Sequence, residues 1–292
     1  MNFNQPVSDL IRKRYSCRTY QDVPIQESDL SHLLDFLKSC TTGPLGSQIR
    51  FKIVAAKEND SKSLKGLGTY GFIKNPTGFV LGKSLDTPGS LEDFGYLMEA
   101  ILIKATELEI GSCWLGGTFT KSRFARILDL QNGEIIPSVA SIGYPADQTA
   151  FMDRVSRLYA GADRRFPWEN LFFNKQFETP LIPEEAGVYK NPLELVRLAP
   201  SASNKQPWRI VKIGNAWHFY IFRNRQYPPP IFNFLLNLAD LQRIDLGIAM
   251  SHFELTAREL GLSGAWHYQD PGISLPNPLV KYSISWRETK KG

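Results

Sequence analysis

Cysteine is scarce in this 292-residue chain. There are three, Cys17, Cys40 and Cys113, an odd number without a CxxC pair. That argues against a disulfide framework or a four-cysteine metal site and favours a reducing compartment. The four histidines, His32, His218, His252 and His267, fall at no metal-ligand spacing, so no metal is expected. Cys113 has no histidine near it in sequence and reads as a small buried residue, not a nucleophile. Neither a GxSxG elbow nor a Walker A loop occurs. No apolar run approaches the ~18–20 residues that cross a bilayer. The N-terminal Asn2, Asn4, Gln5 and Asp9 lack the apolar core of a signal peptide. A soluble, cytoplasmic protein without membrane contacts is the expectation. Long blocks of like charge are missing too. The net charge of +5 is scattered, without the basic runs or interleaved aromatics of a nucleic-acid binder. It suits an anionic small-molecule partner, or simply a mildly basic surface.

Apolar residues, by contrast, make up 42% of the chain, with 12% aromatic, enough for a sizeable core in one large domain or two smaller ones. Helical periodicity marks 6–14 and 27–40. It is clearest over 90–110, where Phe94, Leu97, Met98, Ile101, Leu102, Ala105 and Leu108 form one stripe. Ser90 is placed to cap that helix, with Asp93 at the capping-box position. Short β-like runs occupy 51–56, 78–82 and 138–143. Residues 147–190 lose periodicity and read as an excursion. The pattern then restarts, with a helix over 192–198 and strands at 208–213 and 217–222 joined by Gly214-Asn215. A helical stretch over 233–260 and a strand over 281–286 follow. The expected organisation is a first half over 1–165, a linker over 166–190 and a shorter second half over 191–292.

The restart reads as a repeat, the other reading being two unrelated amphipathic helices of similar composition. Aligning Asp93–Trp114 with Asp245–Trp266 without gaps gives seven identities over 22 positions, where composition predicts about one or two. The pairs are Asp93/Asp245, Gly95/Gly247, Met98/Met250, Ala105/Ala257, Glu107/Glu259, Leu108/Leu260 and Trp114/Trp266. Two copies of one αβ unit are expected to pack about a pseudo-two-fold axis with a site at their joint.

Gly66-Leu67-Gly68-Thr69-Tyr70-Gly71 spells GxGxxG. The charged residues before it and Asn75-Pro76 after it deny it the strand and helix that a dinucleotide loop needs. Four other segments carry chemistry. Arg14-Tyr15-Ser16-Cys17-Arg18 places two arginines around a serine at a helix end. Such a set grips a phosphate, and equally forms an ordinary basic helix terminus. Ala199-Pro200-Ser201-Ala202-Ser203-Asn204-Lys205-Gln206-Pro207-Trp208 is a stiff loop of small residues that can approach a flat ring, or a plain polar loop. Gly111-Ser112-Cys113-Trp114-Leu115-Gly116-Gly117 reads as a bend with exposed amides, and Arg164-Arg165-Phe166-Pro167-Trp168 adds positive charge.

The order RxSxR, a small-residue loop ending NxQPW, a glycine-containing turn and a late Arg-x-Pro resembles the nitroreductase-like FMN oxidoreductases. The resemblance covers nearly the whole chain and points to a fused, double-length branch. It implies an α+β nitroreductase-like fold, two related halves forming an intramolecular pseudo-dimer with mainly antiparallel sheets flanked by helices. It also implies FMN between the halves. Arg14, Ser16 and Arg165 would take the phosphate and Arg18 the N1/O2 edge, tuning the flavin, which itself carries the chemistry. Tyr15, Thr69, Trp114, Leu115, Gly116 and Gly117 would line the first half's side. Pro200, Ser201, Ala202 and Asn204 would supply what a partner subunit gives in single-length relatives. NAD(P)H as reductant and a nitroaromatic, quinone or other flat acceptor follow from the same likeness. So do two alternatives, a flavin-binding protein without turnover and a non-reductase flavoprotein of the same fold. In the first half the loop Gly43-Pro44-Leu45-Gly46-Ser47-Gln48 lacks the Asn and Trp, and the second half opens without an RxSxR. One FMN per chain is therefore expected, in a monomer acting as a pseudo-dimer, with pairing of such chains left open.

Overall fold

The computed structural model describes residues 1–56, 64, 73–116, 121–146, 164–223 and 239–289. The GxGxxG segment, Thr69 and Gly117 lie outside them. The first half holds helices α1 (Val7–Lys13), α2 (Glu27–Lys38), α3 (Ser90–Glu107) and α4 (Lys121–Leu128). Its strands are β1 (Arg50–Ala55), β2 (Gly78–Leu85), β3 (Gly111–Leu115), β4 (Glu134–Ile135) and β5 (Val139–Gly143). The second half holds α5 (Lys190–Leu198), α6 (Leu241–Glu259) and strands β7 (Trp208–Ile213), β8 (Ala216–Phe222), β9 (Gly264–His267) and β10 (Val280–Glu288). Between them, β6 (Phe172–Asn174) runs parallel to β7 at the edge of the second sheet.

The first sheet runs β1-β2-β5-β3, with β4 paired to the end of β2, and the second runs β7-β8-β10-β9 beyond β6. Read in chain order, the two four-strand paths are the same. Apart from β6 with β7, the strand pairs are antiparallel. The repeat thus extends from one helix and its following strand to a whole helix–strand–strand–helix–strand–strand unit.

Helices α3 and α6 cross at the centre. A Cβ added to Gly95 would lie 2.2 Å from the carbonyl oxygen of Ile244, and one added to Gly247 would lie 2.0 Å from that of Glu92. Residues 92 and 95 align with 244 and 247 in the repeat. Each glycine therefore meets the counterpart of its own helix's partner, the reciprocal contact that defines a two-fold interface. Around this crossing one core runs through both halves and includes Leu97, Ile101, Ala249, Phe253 and Trp286.

The amphipathic stripe over 90–110 predicts one buried face, yet α3 is buried along its whole length. Its charged residues are covered because they are paired. Glu92 takes a bidentate hydrogen bond from Arg243, and Asp93 accepts from loop amides. The expected capping box at its start does not form. Gly89 is the N-cap, Ser90 is already helical and bonds Thr87, and Asp93 reaches the 43–48 loop instead. The expected bend at Gly111–Leu115 is a strand, because its Cys113 and Trp114 pair with Ser141 and Ala140 of β5. The 166–190 segment carries β6 and buries Leu171, Phe172, Leu181 and Tyr189 against the second half. Among the described residues no helix is long and apolar enough to cross a membrane.

Candidate functional site

Arg14 ends α1, where the chain leaves the helix in an extended conformation. Its side chain is only 5% exposed, and its Nε sits 3.0 Å from Oε1 of Glu99, a wholly buried carboxylate on α3. The same oxygen faces His252 Nε2 of α6 at 3.1 Å, while Oε2 accepts from Trp114 Nε1 at 2.7 Å. Burial pushes the Glu99 carboxyl up, but Arg14, His252 and Trp114 outweigh it and hold the group below its ordinary range. His252 Nδ1 points at the Leu195 carbonyl of α5, 2.8 Å away. One Arg14 nitrogen, Nη1, is buried without any hydrogen-bond partner. Two residues on, Ser16 forms a parallel bridge with Ser112 at the start of β3.

The second wall is the loop after α5. Ser203, Asn204 and Gln206 all have positive φ, at 48°, 54° and 45°. Non-glycine residues resist that region, and strain of this kind persists only where surroundings enforce it. The enforcing contacts are local. Gln206 donates to the Arg164 carbonyl and accepts from the Phe166 amide, and its own amide donates to Ser201 Oγ. Arg165 Nη1 donates to Asn204 Oδ1 and Nη2 to the Leu198 carbonyl, 3.1 Å in each case. Asp245 of α6 accepts from the Ala202 amide at 2.9 Å. One turn earlier on α6, Leu241 lies where a Cβ on Gly116 would come within 2.8 Å of it. The end of β3 and the 200–206 loop therefore meet at the N-terminal end of α6. Asp245 and His252, two turns apart and about 10 Å along that helix, tie this wall to the Arg14 cluster.

A second crevice stands in the equivalent place across the crossing. There Asp93 holds the 43–48 loop through the Leu45 and Ser47 amides, each at 2.8 Å. Gly89 replaces Leu241, and Tyr268 replaces Gly116. The Tyr268 hydroxyl lies 3.0 Å from where a Gly89 Cβ would be. This groove, of about 500 Å³, is lined by Gly89, Glu92, Arg243, Tyr268 and Tyr282. A larger open concavity of about 880 Å³ lies between Trp168, Val188, Glu194 and Leu260. None of its lining residues carries a buried side-chain polar atom without a partner.

Comparison with known proteins places this architecture. Residues 7–257 match the family described as "Putative TM nitroreductase". The chain belongs to that family. No curated protein matches it. Among solved structures, a Thermotoga maritima protein described as a "putative nitroreductase" is 20% identical, with a TM-score of 0.59 over 98% of this chain and 95% of its own. A nitroreductase family protein of Clostridium difficile 630 is 20% identical, with a TM-score of 0.41 over 57% of this chain and 94% of its own. An FMN-dependent nitroreductase of Clostridium difficile R20291 is 21% identical, with a TM-score of 0.38 over 48% and 88%.

Within this nitroreductase-like fold the expected site residues fall into two groups. Arg14 and Trp114 converge on Glu99, with Ser16 bridged to Ser112 of β3. Arg165, Asn204, Ser201 and Ala202 form the opposite wall with Gly116, and Pro200 opens that loop. The Asn204 side chain is engaged by Arg165 and by the Arg164 carbonyl, so it holds the late arginine in place. Tyr15 is 42% exposed beside Arg14. Leu115 is buried in the first half's core, on the far side of β3 from Trp114. Arg18 gives its carbonyl to the Lys74 amide. Sequence reasoning missed Glu99, His252, Asp245 and Leu241. Only Asp245 left a signal, as an identity in the repeat.

Proposed function

We propose that the chain is an FMN-dependent oxidoreductase holding one FMN between the Arg14 cluster and the 200–206 loop. The observation that carries this reading is Arg14 Nη1, a guanidinium donor sealed from water with nothing to bond. Leaving such a donor unmet costs about 1–3 kcal/mol, more for a charged group, and a cofactor phosphate would relieve it. Arg14, Ser16 and Arg165 are the residues to hold that phosphate, and Arg18 the one to face the N1/O2 edge. Trp114, Gly116 and the strained 200–204 loop suit the two sides of a flat ring. FMN, once bound, supplies hydride transfer from NAD(P)H to a nitroaromatic, quinone or similar flat acceptor. The protein binds, orients and excludes water. The two halves act as a single-chain pseudo-dimer, so the loop that a partner would give comes from the same polypeptide.

The test is an absorption spectrum of the purified protein, followed by heat release and identification of the flavin. About one FMN per chain, reduced anaerobically by NADH or NADPH, is the expected result. Colourless protein that fails to bind added FMN overturns the reading.

A further inference from the structure

The Arg14 cluster joins the two halves around an unmet donor. Glu99 accepts from Arg14 and Trp114 and faces His252 Nε2, while His252 Nδ1 faces the Leu195 carbonyl. The other charged groups around it are occupied elsewhere. Glu194 and Arg197 of α5 pair with each other, and Glu254 of α6 takes Arg258 and Trp266. Arg14, Glu99 and His252 are thus left to one another, buried between the halves. Burying a charge without a partner is costly, and the unmet donor, Arg14 Nη1, belongs to this same cluster.

We propose that Glu99 of the first half and His252 of the second are positioning residues that hold Arg14 for an anionic phosphate, with its unbonded Nη1 as the donor that meets it. The proposal rests on the flavin reading for the identity of that phosphate. It goes further in making the second half part of the grip through a buried triad. A cluster serving only to join the halves would have no reason to leave a guanidinium nitrogen unbonded. The repeat supports a site role as well. Glu99 and His252 align with Ser251 and Ala100, so the triad occurs at one crevice only, whereas the joining contacts at Gly95 and Gly247 occur twice.

FMN and riboflavin differ only in the phosphate, so their relative affinity reads the grip. Wild type should bind FMN at least tenfold more tightly than riboflavin. Glu99→Gln and His252→Gln should lower FMN affinity tenfold or more and leave riboflavin within twofold. In an Arg14→Ala background, Glu99→Gln should add no further change to the FMN-to-riboflavin ratio. An equal loss of both flavins, or an unchanged ratio in both variants, overturns the positioning role while the flavin reading stands. If neither flavin binds, the flavin reading fails and inorganic phosphate decides this one. It should raise the Tm of wild type and not of Glu99→Gln, and equal shifts, or none, overturn it.

Discussion

The two crevices flanking the α3–α6 crossing have the same frame and opposite contents. Each has an aspartate on its central helix clamping a loop, Asp245 on Ala202 and Asp93 on Leu45 and Ser47. Each has a tryptophan on the following strand whose indole donates to a buried glutamate, Trp114 to Glu99 and Trp266 to Glu254. Beyond that they part. The first has Gly116, the strained loop, Arg165 and the unpaired Arg14 nitrogen. The second has Tyr268 where Gly116 would be, and its Arg243 is neutralised by Glu92. Residues that hold the halves together have stayed twofold, while the Arg14–Glu99–His252 cluster with its unbonded nitrogen stands on one side. A fused chain permits this, because its two copies are free to differ, whereas a homodimer must change both sites together.

The shared frame is where the largest effect is expected. Gly95→Val or Gly247→Val drives a side chain into a backbone carbonyl at the centre of the core, where neither helix can give way locally. Overpacking of this kind costs about 3 kcal/mol, read as a lower urea midpoint. Because both glycines serve one crossing, the double variant should lose less than the sum of the two. A wild-type midpoint for either single variant would break the reciprocal contact on which the comparison stands.

Exchanging the residues that differ should sharpen it. Gly116→Tyr should weaken FMN binding by about a hundredfold, close to 2.8 kcal/mol at 1.4 kcal/mol per decade, because the tyrosine takes the space at the end of β3 and displaces Leu241. Tyr268→Gly should leave the stoichiometry at one FMN, since the second crevice has no counterpart of the Arg14 triad. A stoichiometry approaching two would mean that Tyr268 alone keeps the second crevice closed.

The two aspartates should respond with opposite sign. Burial pushes both carboxyls up, Asp245 well above its ordinary range, and its Oδ2 has no partner. A folded value above the unfolded one, about 3.9, gives stability that is complete below that pH. It is lost as pH rises through the folded value. Asp245→Asn cannot ionise, so its stability should vary less with pH and exceed wild type by about 1 kcal/mol at pH 8. Asp93→Asn instead exchanges an accepting oxygen for an NH2 facing a loop amide and should lose about 1–2 kcal/mol. Urea titrations at pH 5 and pH 8 separate these outcomes. Parallel curves for wild type and Asp245→Asn would remove Asp245 from the account.

Much of the frame could be read from sequence because its physics repeats. Asp93/Asp245, Gly95/Gly247 and Trp114/Trp266 turn out to be the loop clamps, the helix crossing and the indole anchors. Duplicated constraints leave duplicated letters. What stayed hidden was single-copy or set by tertiary pairing. Glu99 and His252 align with a serine and an alanine, and a buried triad has no periodicity to betray it. Strand β3 was hidden because its glycine and serine suggest a bend, and only pairing with β5 makes it a strand. β6 lay in a proline-rich stretch and depends on the exposed edge of β7. The capping box over Ser90 and Asp93 failed because the loop amides outcompete the local backbone for the Asp93 carboxylate.

One repeated pair offers the finest contrast. Glu107 and Glu259 reach α1 and its lead-in from the two halves. Glu107 accepts from the amides of Asn4 and Gln5, at 2.5 and 2.9 Å, and Glu259 from the Ser8 amide at 3.0 Å. An acidic group at a helix N-terminus is favourable, and more so when shielded from water. Glu107 is buried, which pushes its carboxyl up, yet Lys104 and the two amides outweigh this and leave it lowered. Its stabilisation is therefore complete above the unfolded value, about 4.3, and fades as pH falls through the folded one. Glu259 makes its bonds in the open. Glu107→Gln should cost about 1–2 kcal/mol at pH 7, a difference that shrinks toward pH 3. Glu259→Gln should stay within about 0.5 kcal/mol. Equal losses would mean that the two halves grip α1 alike, and that the asymmetry of the crevices does not extend to the helix that delivers Arg14.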